Sequence, residues 1–257
     1  MQIRKSLCAL VLLASTVATS SSWALFGLFD SDSIAAGSRY AFIPSKIEPR
    51  IVVIDTQNDE LAAELGLTQV ANNLIISDSL NLLVATHSES SLISLVDLET
   101  QSSLSPMDIG MTADVGLLHP LDQYMAFGNN QGQVSLWDMQ TRKKMFQVND
   151  LDSAVNLTFS VDGSRLFIVE PRDRKISVVA LTEQSVIAEI DLPEPTQSKD
   201  NQVGSVQIKP EISSISRSAD GYTGFLSITS ENTVVVLDLL KLEIKKIISV
   251  DSEPVRP

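Results

Sequence analysis

Histidine and aspartate are the residue types in this chain that could do chemistry, and their spacing decides which chemistry to expect. There are two histidines, His87 and His119. An imidazole can ligate a metal or move a proton near neutral pH. No HxH, HExxH or His–carboxylate spacing accompanies either one. Both fall at the ends of expected strands and read as structural or surface groups. Asp55, Asp97, Asp138 and Asp238 recur at one position of a repeat. Four carboxylates could hold a cation if they converged. The reading we prefer is that each accepts backbone N–H bonds in the turn after its own strand. Asp162-Gly163 and Asp220-Gly221 lack the alternating carboxylates of a calcium loop and read as turns. No GxSxG elbow, P-loop or GxGxxG is present. The expectation is therefore no catalytic residue, no metal site and no cofactor site.

The elements that position these groups follow from the same repeat. The runs Val53-Ile54-Asp55, Leu95-Val96-Asp97, Leu136-Trp137-Asp138 and Val236-Leu237-Asp238 share one form, and a degenerate copy, Val178-Val179-Ala180, fills the gap. Successive runs end 42, 41, 42 and 58 residues apart. A period of roughly 40–45 residues built from short strands is the signature of propeller blades. The expected fold is all-β: a β-propeller of about five four-stranded blades, with an incomplete or open ring as an alternative. One four-stranded sheet cannot bury both its faces, whereas sheets stacked face to face around an axis can.

Taken in order, the first repeat opens at Arg39, with strands at 40–43, 50–55 and 60–65, the last compatible also with a short helix. The second has strands at 73–77, 82–86 and 91–97 and a weak one near 107–109. The third has 115–118, 124–127, 133–138 and 144–148, and the fourth 155–159, 165–169, 175–180 and 186–190. Residues 193–210 interrupt the period, with proline at both ends, and read as a mobile surface insertion and a place for a partner. The fifth repeat resumes with 212–215, 223–229, 233–238 and 243–250.

Charge and leader bound the setting. The formal charge is −13, which disfavours nucleic acid and anionic membrane as partners. Residues 1–24 read as a signal peptide: Arg4 and Lys5 are the basic start, Leu7 to Thr19 the apolar stretch, and Ser22-Trp23-Ala24 the cleavage sequence. Cleavage is expected after Ala24, giving a periplasmic or secreted protein with no membrane insertion once the leader is removed. Cys8, the single cysteine, lies inside this leader, so the exported chain has no disulfide, thiolate or cysteine metal site. Residues 25–257 are expected to form one domain. Leu25–Phe29 is a candidate closing strand; otherwise an open blade edge would recruit a second chain.

Val155-Asn-Leu-Thr-Phe-Ser-Val-Asp-Gly-Ser-Arg-Leu-Phe-Ile-Val-Glu170 with Lys175 to Leu181 resembles the bacterial YVTN-type propeller repeat, and Gly128 to Asp138 is similar to the end of a WD40 blade. The likeness covers roughly residues 39–250. No Gly-His dipeptide opens a blade and Trp-Asp occurs once, so the Asp-His-Ser/Thr-Trp network of full WD40 blades is not implied. Trp137, alone after the leader, does not support the tryptophan-docked quinone-dependent alcohol dehydrogenases. The resemblance implies a propeller and, by itself, no activity. The functional expectation is a non-enzymatic exported scaffold that binds a protein or peptide. The alternative is a cofactor-free accessory subunit of a periplasmic redox enzyme, similar to the heavy chain of quinoprotein amine dehydrogenases.

Overall fold

The computed structural model describes residues 39–194 and 211–251. The leader, the candidate strand Leu25–Phe29, most of the insertion and the C-terminal tail lie outside the described residues. What is described is all-β apart from one short 3-10 turn, Thr229–Glu231.

Five antiparallel sheets follow one another along the chain. Sheet 1 has three strands, β1 (Tyr40–Pro44), β2 (Arg50–Asp55) and β3 (Glu60–Gly66). Sheet 2 is β4 (Asn73–Ser77), β5 (Leu82–Thr86), β6 (Leu92–Asp97) and β7 (Ser102–Asp108). Sheet 3 is β8 (Val115–Leu118), β9 (Tyr124–Gly128), β10 (Val134–Asp138) and β11 (Lys143–Val148). Sheet 4 is β12 (Asn156–Phe159), β13 (Arg165–Glu170), β14 (Lys175–Ala180) and β15 (Ser185–Asp191). Sheet 5 is β16 (Ser216–Arg217), β17 (Thr223–Ile228), β18 (Thr233–Asp238) and β19 (Glu243–Ser249). The order within each is sequential, the up-and-down pattern of a propeller blade.

The third strand expected in the first repeat, at 60–65, is present as Glu60–Gly66. Two details differ from the sequence reading. The weak strand of the second repeat is a full one, Ser102–Asp108. The first strand of the fifth repeat is displaced: Ile212 makes one isolated bridge to Ile228, and the ladder begins at Ser216.

The binary pattern explains the stacking. Counting back from the residue that ends the next-to-last strand of each sheet, the second and fourth positions face the next sheet: Val53 and Ile51, Leu95 and Ile93, Leu136 and Val134, Val178 and Ile176. The first position faces the preceding sheet: Val96, Trp137, Val179 and Leu237. Each of the four apolar clusters therefore joins two consecutive sheets, and every residue of β5 is buried. At roughly 25 cal/mol per Å² of apolar surface, these interfaces are the main source of stability. Pairing of the last two strands slips register in every sheet, at Val53/Ile54, Ile93/Leu95, Leu136/Trp137, Val178/Val179 and Val236/Leu237. Such bulges increase local twist.

Side chains also tie neighbouring inner strands together. Asn73 Oδ1 accepts from the Gly116 N–H. Asn156 Nδ2 donates to the Ile212 carbonyl and Thr158 Oγ1 to that of Ile215. No cluster of described residues joins sheet 5 to sheet 1.

Candidate functional site

The recurring aspartates do not converge; each is consumed in its own turn. Asp97 Oδ1 accepts from Glu99 N–H and Thr100 N–H, both at 2.9 Å. Asp138 Oδ1 accepts from Thr141 N–H, and Asp238 Oδ1 from Leu240 N–H and Lys241 N–H. Asp55 accepts from Gln57 N–H and from the Arg39 guanidinium at 2.7 Å. The Arg39 hydrogen bond holds the Asp55 carboxyl below its ordinary value, and the Lys241 N–H does the same for Asp238. Asp162 and Asp220 are turn residues as well. Asp162 accepts from the Ser160 hydroxyl and Ser164 N–H, and Asp220 from the Ser218 hydroxyl and Tyr222 N–H.

Both histidines are buried and bonded through both ring nitrogens. His119 Nε2 donates to the Gly163 carbonyl at 2.9 Å, and Nδ1 accepts from Leu121 N–H at 3.0 Å, so the ring is the Nε2–H tautomer. It meets Tyr124 and Phe159 edge-on. His87 Nδ1 donates to the Val70 carbonyl at 2.8 Å, and Nε2 lies 2.9 Å from the Ser94 hydroxyl, which also meets Thr68 Oγ1.

His87 belongs to a device that the sequence reading missed. One residue recurs just past or at the end of the second strand of sheets 2, 3 and 4: His87, Asn129 and Glu170, all buried. A buried serine, Ser94, Ser135 or Ser177, accompanies it on the third strand. Each polar residue reaches back to the link that enters its sheet. His87 binds the Val70 carbonyl, Asn129 Nδ2 donates to that of Thr112, and Glu170 Oε2 accepts from Asp152 N–H at 2.7 Å. Glu170 also accepts from the Ser177 hydroxyl. These staples are structural: they satisfy polar groups that burial would otherwise penalise. In sheet 5 the same place holds Ile228, and a backbone bridge to Ile212 replaces the staple.

What remains open lies at the end of the inner strands of sheets 3 to 5. A recess of about 450 Å³ is lined there by Asn130, Asp152, Asn156, Arg172, Glu211 and Ser227, among others. The Glu170 staple positions one wall: it holds the Asp152 backbone, and the Asp152 carboxylate takes the Arg172 Nε at 2.8 Å. The Arg172 side chain is still 61% exposed at the rim. Ser227 is 1% exposed, and its Oγ has no hydrogen-bond partner among the described residues. A second recess of about 420 Å³ is lined by Leu117, His119, Thr158, Phe159, Ile215 and Arg217. No group of three or more His, Cys, Asp or Glu able to hold a metal occurs among the described residues.

No family model matches this chain, and no curated protein does. Among solved structures it is similar to dihydro-heme d1 dehydrogenase NirN in complex with DHE, at 13% identity and a TM-score of 0.67. The match covers 84% of this chain and 46% of that one, so the chain spans about half the length of that neighbour. At this identity the likeness shows the fold alone, which is of the β-propeller type.

Proposed function

We propose that the chain is an exported, non-enzymatic propeller scaffold of about five WD40- or YVTN-like blades that binds a protein or peptide in the recess of sheets 3 to 5. The observation that carries this reading is the contrast in how polar groups are used. His87, His119, Glu170 and the recurring aspartates are spent on internal hydrogen bonds. The recess keeps amide, guanidinium, carboxylate and hydroxyl groups facing one space, and the Ser227 hydroxyl there is unmatched. Pockets with a few convergent polar groups on a rigid frame are the usual sites of recognition. The acidic chain directs the choice away from nucleic acid and anionic lipid. The experiment is affinity capture from the cell envelope with the native chain beside Asn156→Ala and Arg172→Ala variants. A partner enriched by the native chain and lost with both variants supports the reading; equal enrichment by all three removes the recess from it.

The second reading is an accessory subunit of a redox enzyme that holds no cofactor itself. Its support is that neither histidine can offer an axial nitrogen without breaking a buried hydrogen bond. A co-purifying partner with visible absorbance would select this reading.

A further inference from the structure

The stacking pattern continues past both ends of the row of sheets. In sheet 5 the positions that face the next sheet elsewhere hold Val236 and Val234. In sheet 1 the position that faces the preceding sheet elsewhere holds Ile54, with Val52 on the same side. Cross-strand partners extend both faces: Ile43 lies opposite Val52 and Leu61 opposite Ile54, while Phe225 lies opposite Val236 and Ile248 opposite Val234. Among the described residues none of these eight belongs to any of the four apolar clusters, and of the eight Val236 alone is buried, at 8% exposed. Ile43 is 52%, Leu61 53% and Ile248 38% exposed. The two faces are thus unlike halves of one interface, the interface built four times within the chain.

We propose that a second copy of this chain docks there head to tail, the sheet-1 face of one copy packing on the sheet-5 face of the other. The argument is continuity with an interface the chain already makes. Each internal junction mates a face of the sheet-5 kind with one of the sheet-1 kind, both apolar. A second copy supplies whichever half the first lacks. The contact buries faces and does not depend on hydrogen bonding between strand edges. It is heterologous, because two different patches meet, and that makes it testable by crossing variants.

Ile43→Asp blocks the sheet-1 face and Ile248→Asp the sheet-5 face; both side chains are exposed, so neither change empties the core. Neither residue lines the recess, so this test is independent of the binding reading. The protein is purified from its own cells, circular dichroism checks each fold, and light scattering reads the mass. The native chain is expected to gain mass with concentration, and each variant alone to stay monomeric. An equimolar mixture of the two is expected to form one dimer, since one open face of each kind remains. A native chain that stays monomeric at every concentration overturns the proposal. So does one variant dimerising alone, which would mean like faces pair, or oligomers that both variants leave unchanged.

Discussion

The ring of His119 and the backbone of Gly163 are fitted to one another: Nε2 donates to the Gly163 carbonyl at 2.9 Å, and a Cβ on Gly163 would overlap the imidazole. Through this contact the first turn of sheet 3 grips the first turn of sheet 4. Gly163→Ala is opposed twice, by the clash and by a φ of +72° that side-chain-bearing residues rarely adopt. We expect a loss of roughly 2–3 kcal/mol, read from the urea midpoint. Gly221 has a φ of +75°, and its Cβ would overlap Val161 at both Cγ2 and Cβ. Gly221→Ala is therefore also expected to destabilise, by about 1 kcal/mol or more, read from the same urea midpoint.

The staples predict a second pattern. Glu170→Ala leaves the Asp152 N–H and the Ser177 hydroxyl without their acceptor, and His87→Ala leaves the Val70 carbonyl without its donor and the Ser94 hydroxyl without its ring-nitrogen partner. Each is expected to lower stability by roughly 2–3 kcal/mol. The two lie in different sheets with no shared partner, so the double variant is expected to show the sum within about 0.5 kcal/mol. Denaturant titration of the four proteins checks this.

Acid sensitivity follows from the turns. The Arg39 hydrogen bond, the Gly110 N–H, the Ser160 hydroxyl, the Ser218 hydroxyl and the Lys241 N–H respectively hold Asp55, Asp108, Asp162, Asp220 and Asp238 below the ordinary value of 3.8. A carboxyl depressed in the folded state contributes stability that is present above its unfolded value and lost as pH falls through its folded value. The native chain is therefore expected to keep its midpoint from neutral pH down to about 5 and to lose it below. Asp162→Asn is expected to be less stable than the native chain at neutral pH, with the gap closing in acid. Urea midpoints at several pH values check the sign; a gap that widens in acid contradicts it.

Much of the fold was legible in the sequence because the repeat is written in local signals. Asp at one blade position followed by turn residues marks Asp97, Asp138 and Asp238 as caps, and Ser-x-Asp-Gly marks the hairpins at 160–163 and 218–221. The alternation around Asp55 and Asp138 likewise places strands β2 and β10. The staples were not legible, because His87, Asn129 and Glu170 are three residue types doing one job. Glu170 lies just past the expected strand 165–169, and nothing local signals that the fold places Ser177 and the Asp152 N–H against it. The short first strand of sheet 5 was misplaced for a related reason: Ile212 and Ile215 carry a strand's pattern, yet their backbone is held by the bridge to Ile228 and the Thr158 side chain. The recess gathers residues from 130 to 229, a proximity that no local pattern encodes.

The central claim is that the recess is the recognition site. Its most direct test is a photo-crosslinking side chain at Asn130, inside the recess, compared with one at Glu189, on the outer strand of sheet 4. Crosslinks would be driven in intact cells and resolved by mass. The account predicts one discrete adduct from position 130, absent from position 189 and abolished by Arg172→Ala. An adduct from position 189 with none from position 130 would contradict it.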